Sequence, residues 1–113
     1  MKIRAMDCIF CKISKGEIPS AKVFESNEII AFNDINPKAK VHILIAPKKH
    51  IESVKHLERI DKELIGELFF VAQKIAKEKS LEGYKLVINV GREGGQLVDH
   101  LHLHLLSGEF VVI

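Results

Sequence analysis

His100-Leu101-His102-Leu103-His104-Leu105-Leu106 alternates imidazole with aliphatic side chains. Period-two alternation marks an extended chain, in which His100, His102 and His104 share one face and Leu101, Leu103 and Leu105 fill the other. Same-face neighbours then lie roughly 6.5–7 Å apart. A helix would scatter the row, because positions two apart point to different sides. Three imidazoles are a poor core face and an odd solvent face, although a plain half-exposed strand with polar histidines is the alternative. The chemistry that suits the row is phosphorus chemistry. Neutral imidazole is a good nucleophile toward phosphorus and a good leaving group afterwards. Its neighbours can hydrogen-bond phosphate oxygens and discourage one another from protonating.

A little before the row, separated from it by Leu97-Val98-Asp99, stands Asn89-Val90-Gly91-Arg92-Glu93-Gly94-Gly95-Gln96. Its glycines let backbone N–H groups approach an anion closely. By itself such a loop serves equally well as a strand connection. Further outward, Tyr84 to Val90 reads as a fourth strand and residues 99 to 106 as a fifth, with Phe110 to Ile113 as a short extension. From about Asp61 to Ser80, Leu64, Ile65, Leu68, Phe69, Ala72, Ile75 and Ala76 recur at the 3–4 spacing of one helical stripe. Lys62, Glu67, Lys74 and Lys77 fall opposite, Asp61 supplies an N-cap and Glu82-Gly83 closes the connection.

Nearer the N-terminus, Val23-Phe24 and Ile29-Ile30-Ala31-Phe32 read as strands around a turn at Ser26-Asn27. Asn33 to Lys40 is a loop, and His42 to Ala46 is a third strand stopped by Pro47. Asp7 caps a short helix over Cys8 to Lys15 that Gly16 ends, and Pro19 starts an extended region. The sum is an α+β domain: a five-stranded, mostly antiparallel sheet with one long and one short helix, the long one covering a face.

The chain of 113 residues is 47% hydrophobic, which suits one compact domain over residues 1–113 with a core that needs no disulfide staple. A net charge of +2 lacks the field expected of a duplex-binding protein. No stretch approaches the ~20 apolar residues of a membrane span, and Met1 to Met6 is too short and charged for a signal peptide. The expected compartment is the cytoplasm. Cys8 and Cys11 are the only cysteines. Their spacing is too tight for a useful loop-closing disulfide, and suits half of a metal site, a redox pair or two inert buried thiols.

The row resembles the signature of the histidine triad (HIT) proteins. So do Phe32-Asn33-Asp34-Ile35-Asn36-Pro37, Pro47-Lys48-Lys49-His50-Ile51, and Asn89 followed by Gly94-Gly95-Gln96. The resemblance runs from about Asp7 to Leu106 and is nearest to the Hint-like branch, in its microbial zinc-containing form. That branch hydrolyses purine nucleoside phosphoramidates, such as an adenylate joined through nitrogen to ammonia or lysine. The resemblance implies a HIT-like fold with His102 as nucleophile, forming a nucleotidyl-imidazole. It gives the backbone carbonyl of His100 the orienting role, and puts His104, with His42 behind it, on the phosphate side. Asn89 would contact the phosphate or the leaving group, and Asp34 the ribose hydroxyls. Ile9, Phe10, Ile13, Ile18, Phe32 and Ile35 would sandwich the base, with Gly95, Gln96, Leu97 and Val98 completing the nucleotide site. The same apolar residues also read as ordinary core.

One structural zinc per chain is implied at Cys8, Cys11, His50 and His100, four donors that leave no open position. A homodimer is implied too, using the helix around Phe69 and Phe70. His56 has no motif partner and reads as surface. Two positions depart from the family: Leu97 stands where a Ser or Thr usually follows Gly-Gly-Gln, and Ser107-Gly108 replaces a double glycine. The first bears on the rate and the leaving group, and the resemblance gives the family's C-terminal tail, which follows the second, a part in choosing the leaving group. The other readings open to the row are dinucleoside polyphosphate hydrolysis of the Fhit-like kind, and a catalytically weak nucleotide-sensing or scaffold module.

Overall fold

A computed structural model describes residues 8–110 of the chain. Five strands, β1 (Lys22–Glu25), β2 (Ile29–Asn33), β3 (Ala39–Pro47), β4 (Lys85–Val87) and β5 (Leu103–Phe110), form one sheet in the order β1-β2-β3-β5-β4. Every neighbouring pair is antiparallel. The chain meanders through β1 to β3, leaves the sheet for the helix α2 (Lys62–Glu78), returns at the far edge as β4, and inserts β5 beside β3. The histidine row therefore leads into a central strand, with His104 inside it.

The two faces carry separate cores. On one, Leu68, Val71, Ala72, Ile75 and Ala76 of α2 pack with Ile29, Ala31, Ile43, Ile45, Leu101, Leu103 and Leu105. Burying each large aliphatic side chain there contributes roughly 1.5–3 kcal/mol. On the other face, the short helix α1 (Ile9–Ser14) sets Phe10, Cys11 and Ile13 against Ile30, Phe32, Leu44 and Ala46. Leu101, Leu103 and Leu105 thus face α2, while His100 and His102 touch Phe10 on the α1 side.

Several boundaries differ from the sequence reading. The fifth strand starts at Leu103 rather than residue 99. The register pairs Ile45 with Leu103, which would bring Pro47 opposite Leu101. Pro47 has no N–H to give a ladder. The N–H of Leu101 bonds instead to the Ile51 carbonyl at 2.7 Å, and that of His100 to the Val98 carbonyl at 2.8 Å. The alternation of faces survives without the ladder. The fourth strand is confined to Lys85–Val87, because its partner β5 is already ending at His104 and Leu103. The third strand is longer than expected: Ala39 and Lys40 join it, and Pro47 is its last residue, paired with Ile29.

α2 spans nearly the predicted helix, with Leu64 and Ile65 packed against its core. Phe69, placed in the buried stripe, is 43% exposed, while Val71 is buried. Successive residues step about 100° around a helix, and Phe69 falls on the shoulder beyond Leu68. Asp61 sits at the N-cap position, but its carboxylate turns away from the helix. It accepts from the Glu58 N–H at 2.9 Å and the Lys49 Nζ at 2.6 Å. In α1 the N-cap is Cys8; the expected cap Asp7, and residues 111–113 of the expected extension, lie outside the described residues.

Candidate functional site

The three histidines of the row occupy two adjoining clusters. His102 is buried, and its Nδ1 lies 2.7 Å from the carbonyl oxygen of His100. A carbonyl can only accept, so Nδ1 carries the proton and Nε2 keeps a free lone pair. Burial holds the ring's pKa below the ordinary 6.5, although the His100 carbonyl pulls the other way. At neutral pH, His102 is thus an uncharged base with a defined lone pair. Phe10 packs edge-on against its ring, with centroids 5.0 Å apart, and in turn meets Phe32 edge-on at 5.3 Å.

A second chain of imposed tautomers ends beside it. The Lys38 backbone N–H donates to Nδ1 of His42 at 3.0 Å, which leaves the His42 proton on Nε2. That nitrogen lies 2.9 Å from Nδ1 of His104. His104 must therefore carry its own proton on Nε2. This donor is buried and has no partner among the described residues. The His104 ring centroid is 4.8 Å from that of His102. Burial, then the neighbouring His102 and His42, push the His104 pKa down to about 4. A neutral N–H donor is thus held next to a neutral lone pair, which is the pairing an attack on a phosphoryl group requires.

Asp34 stands at the edge of this cluster. Its Oδ1 accepts from the Asn36 N–H at 2.8 Å, and its Oδ2 lies 3.5 Å from Nε2 of His42. Asn89 lies between β4 and the glycine loop, partly buried, and a Cβ built on Gly95 would stand 3.9 Å from its amide carbon. Gly91 and Gly95 both have positive φ, at 69° and 89°, which is why this loop needs glycine at those positions. The Gln96 side chain is enclosed by the loop: its Oε1 accepts from Gly91 N–H at 2.9 Å, and its Nε2 donates to the Glu52 and Val98 carbonyls at 2.6 and 2.9 Å. Arg92 ties the loop's far side to the Gln96 carbonyl and to Asp99. Of the residues expected around the base, Phe10, Ile13 and Phe32 are buried, and Ile18 and Val98 pack beside them. Ile9, Ile35 and Leu97 are exposed.

His100 faces the other cluster. Its Nε2 lies 2.7 Å from the Pro47 carbonyl, so Nε2 carries the proton and Nδ1 presents its lone pair. That lone pair faces the sulfurs of Cys8 at 3.3 Å and Cys11 at 3.6 Å. Nδ1 of His50 lies 3.4 Å from the Cys11 sulfur. The four donor atoms all lie within 4.8 Å of one another. Zinc–sulfur and zinc–nitrogen bonds of ordinary length would set tetrahedral donors roughly 3.3–3.8 Å apart, and these distances fall in that range. Burial and then the adjacent Cys8 push the Cys11 thiol up to about 11, so a cation is what would make this pair of sulfurs compatible with thiolate charge. The donor set fits a four-coordinate ion that shares His100 with the nucleophile.

The sequence reading does not include the two backbone groups that set these tautomers, the Pro47 carbonyl and the Lys38 N–H. Proline at the end of a strand beside a histidine row is the signal that was available for the first. His56 is exposed as expected, yet it has partners: Glu52 at 3.2 Å and the Ser53 hydroxyl at 3.0 Å. Among the described residues, no helix is long and apolar enough to cross a membrane.

Comparison with known proteins places these features in context. The family model described as "Scavenger mRNA decapping enzyme C-term binding" matches residues 7–112. Protein HitA of Neisseria gonorrhoeae is 44% identical over 102 residues, covering 89% of this chain and 95% of that one. A 14 kDa zinc-binding protein of Zea mays is 48% identical over 103 residues, covering 88% and 80% respectively. Among solved structures, a histidine triad protein from Clostridium difficile superposes with a TM-score of 0.92 at 45% identity, covering 98% of each chain. A HIT family hydrolase from Legionella pneumophila gives a TM-score of 0.88 at 48% identity, covering 93% of this chain and 96% of that one.

Proposed function

The chain belongs to the histidine triad family, and we propose that it is a nucleotide-binding hydrolase that cleaves purine nucleoside phosphoramidates through a nucleotidyl intermediate on His102. The observation that carries this reading is the 2.7 Å contact from His102 Nδ1 to the His100 carbonyl, which leaves Nε2 as a free nucleophile. In the first step, the Nε2 lone pair attacks the α-phosphorus. The bond from phosphorus to the leaving nitrogen breaks, its electron pair goes to that nitrogen, and the amine takes a proton from solvent. The imidazole gains positive charge, which the His100 carbonyl stabilises through the Nδ1 proton. The Nε2–H of His104 donates to a non-bridging phosphate oxygen as negative charge builds there. In the second step, water attacks phosphorus and gives a proton back to solvent, the bond to Nε2 breaks with its electron pair returning to the imidazole, and a nucleoside monophosphate leaves with His102 restored.

Asp34 would take the ribose hydroxyls and Asn89 the phosphate or leaving group. The exposed Ile9 and Ile35, with Phe10, Ile13, Ile18 and Phe32 behind them, would form the base site, and residues 95–98 its loop side. Zinc would be held by Cys8, Cys11, His50 and His100, and the name of the maize relative supports that ion. With four protein donors it would be structural, tying α1 to the chain segment that carries His102. A cytoplasmic homodimer completes the proposal, a second copy covering the exposed Phe69 and Phe70 on α2.

The test is a substrate panel. Adenosine phosphoramidate is expected to be hydrolysed to the monophosphate with kcat/KM at least tenfold above that for diadenosine polyphosphates. Preference for the polyphosphates would move the protein to the other hydrolase class. Tight nucleotide binding with no turnover of any substrate would make it a sensing or scaffold module.

A further inference from the structure

One cavity approaches the metal centre from outside. It is an open depression of about 250 Å³ lined by Cys11, Ser14, Lys15, Lys48 and His50. Both cysteines are buried, Cys8 at 3% and Cys11 at 6% exposure, and their sulfurs lie within 4.8 Å of each other, but only Cys11 is among the cavity's walls. What separates the two sulfurs is this opening, which reaches Cys11 and not Cys8. The cavity rim is also charged. Lys15 is exposed, and Lys48 is partly exposed and pairs with Glu25 at 2.7 Å. The rim thus carries two cations against one carboxylate.

We propose that Cys11 is a modification site at which small anionic disulfides oxidise the metal centre. With the cation bound, both sulfurs are thiolates, the form that attacks disulfides. The Cys11 sulfur attacks one sulfur of R–S–S–R, forming a mixed disulfide and releasing one RS⁻. The Cys8 sulfur then attacks the Cys11 sulfur, forming the Cys8–Cys11 disulfide and releasing a second RS⁻. The protein loses two electrons and the small disulfide gains them. Two of the four donors are consumed, and the cation leaves. His100 loses the partners of its Nδ1 while its carbonyl still holds His102, so oxidation reaches the nucleophile through a single residue.

This inference rests on the zinc reading above, and its test separates the two. Zinc-loaded protein is treated with limiting oxidised glutathione, which is anionic, or with cystamine, which is cationic. Zinc release is followed with a chromophoric chelator, and the thiols are mapped by peptide mass spectrometry. Glutathione is expected to appear first on Cys11. The Cys8–Cys11 disulfide should follow, with one zinc released per disulfide formed. Oxidised glutathione should react about fivefold faster than cystamine, and the ratio should fall toward one in high salt. In Lys15→Glu protein the preference should be lost. First labelling at Cys8, faster reaction of cystamine with the unmodified chain, or disulfide formation with zinc retained would overturn the proposal. Protein that binds no zinc at the outset would refute the zinc reading and the metal release with it, while the order of labelling at the two thiols would still decide whether Cys11 is the point of attack.

Discussion

Replacing His42 with alanine tests whether a residue that does not reach the phosphate sets the chemistry of one that does. His42 receives the Lys38 N–H on Nδ1 and presents its own proton to Nδ1 of His104 at 2.9 Å. Without it, no group among those described chooses between the two neutral forms of His104. An intramolecular hydrogen bond has a net worth of about 0.5–1.5 kcal/mol, which holds roughly 70–93% of His104 in the Nε2–H form; with the two forms left nearly equal, that population, and kcat/KM with it, should fall about 1.4- to 1.9-fold. Removing His104 deletes the donor itself. A donor aimed at developing charge is worth about 2.7–4 kcal/mol, so His104→Ala should cost about 10²–10³ in kcat. Because His42 acts through His104, the double variant should lose no more than His104→Ala alone, and the coupling energy should equal the whole His42 effect. The assay is hydrolysis of adenosine phosphoramidate by the four proteins of the cycle, with melting midpoints and metal content measured on each. Additive losses in folded, metal-replete variants would refute the tautomer relay.

Three further outcomes rest on the same geometry. Stripping the metal with a chelator, or Cys8→Ser, should lower the melting midpoint by more than about 10 °C, and zinc should restore the stripped protein but not the variant; an unchanged midpoint would mean that the four donors bind no stabilising ion. The pH response should be acid-sensitive. Burial first of all lowers the His102 pKa below 6.5, and protonation occupies the attacking lone pair, so kcat/KM should hold from alkaline pH down through 6.5 and fall only below it. Stability should follow the same sign. His104 takes its proton at about 4 when folded but near 6.5 when unfolded, so the unfolded chain binds more protons between those values. His104 therefore favours the fold fully above pH 6.5, and that contribution declines as pH falls toward 4. Urea midpoints across this range check it, and a midpoint that rises on acidification would contradict it.

The alternation at 100–106 and the spacing of the α2 stripe were legible because both are local periodicities tied to one buried face. The start of β5 was not. It depends on Pro47 arriving opposite Leu101, a consequence of register between strands more than 50 residues apart in sequence. Phe69 was misplaced for a related reason: helical spacing gives a direction, and the width of the buried stripe depends on how far the sheet extends beneath it. The candidate site was legible as a set of residues that the structure brings together: His100, His102 and His104 from the alternation, and His42 from the family resemblance. Their division of labour came only through the family resemblance; the groups that set the tautomers of His100 and His42, a strand-end carbonyl and a loop N–H, are of kinds that nearly every residue possesses and so carry no sequence signal. The same holds for Gln96, whose amide is enclosed by contacts to Gly91, Glu52 and Val98 that no spacing rule specifies.

The most direct test of the central claim is to trap the covalent intermediate. Protein mixed with adenosine phosphoramidate, quenched within the first turnovers in alkali, and read by intact mass and peptide mapping should carry one adenylyl group on His102. The His102→Ala variant should carry none and should not turn over. An adduct on a different side chain, or sustained hydrolysis by His102→Ala protein, would contradict the account.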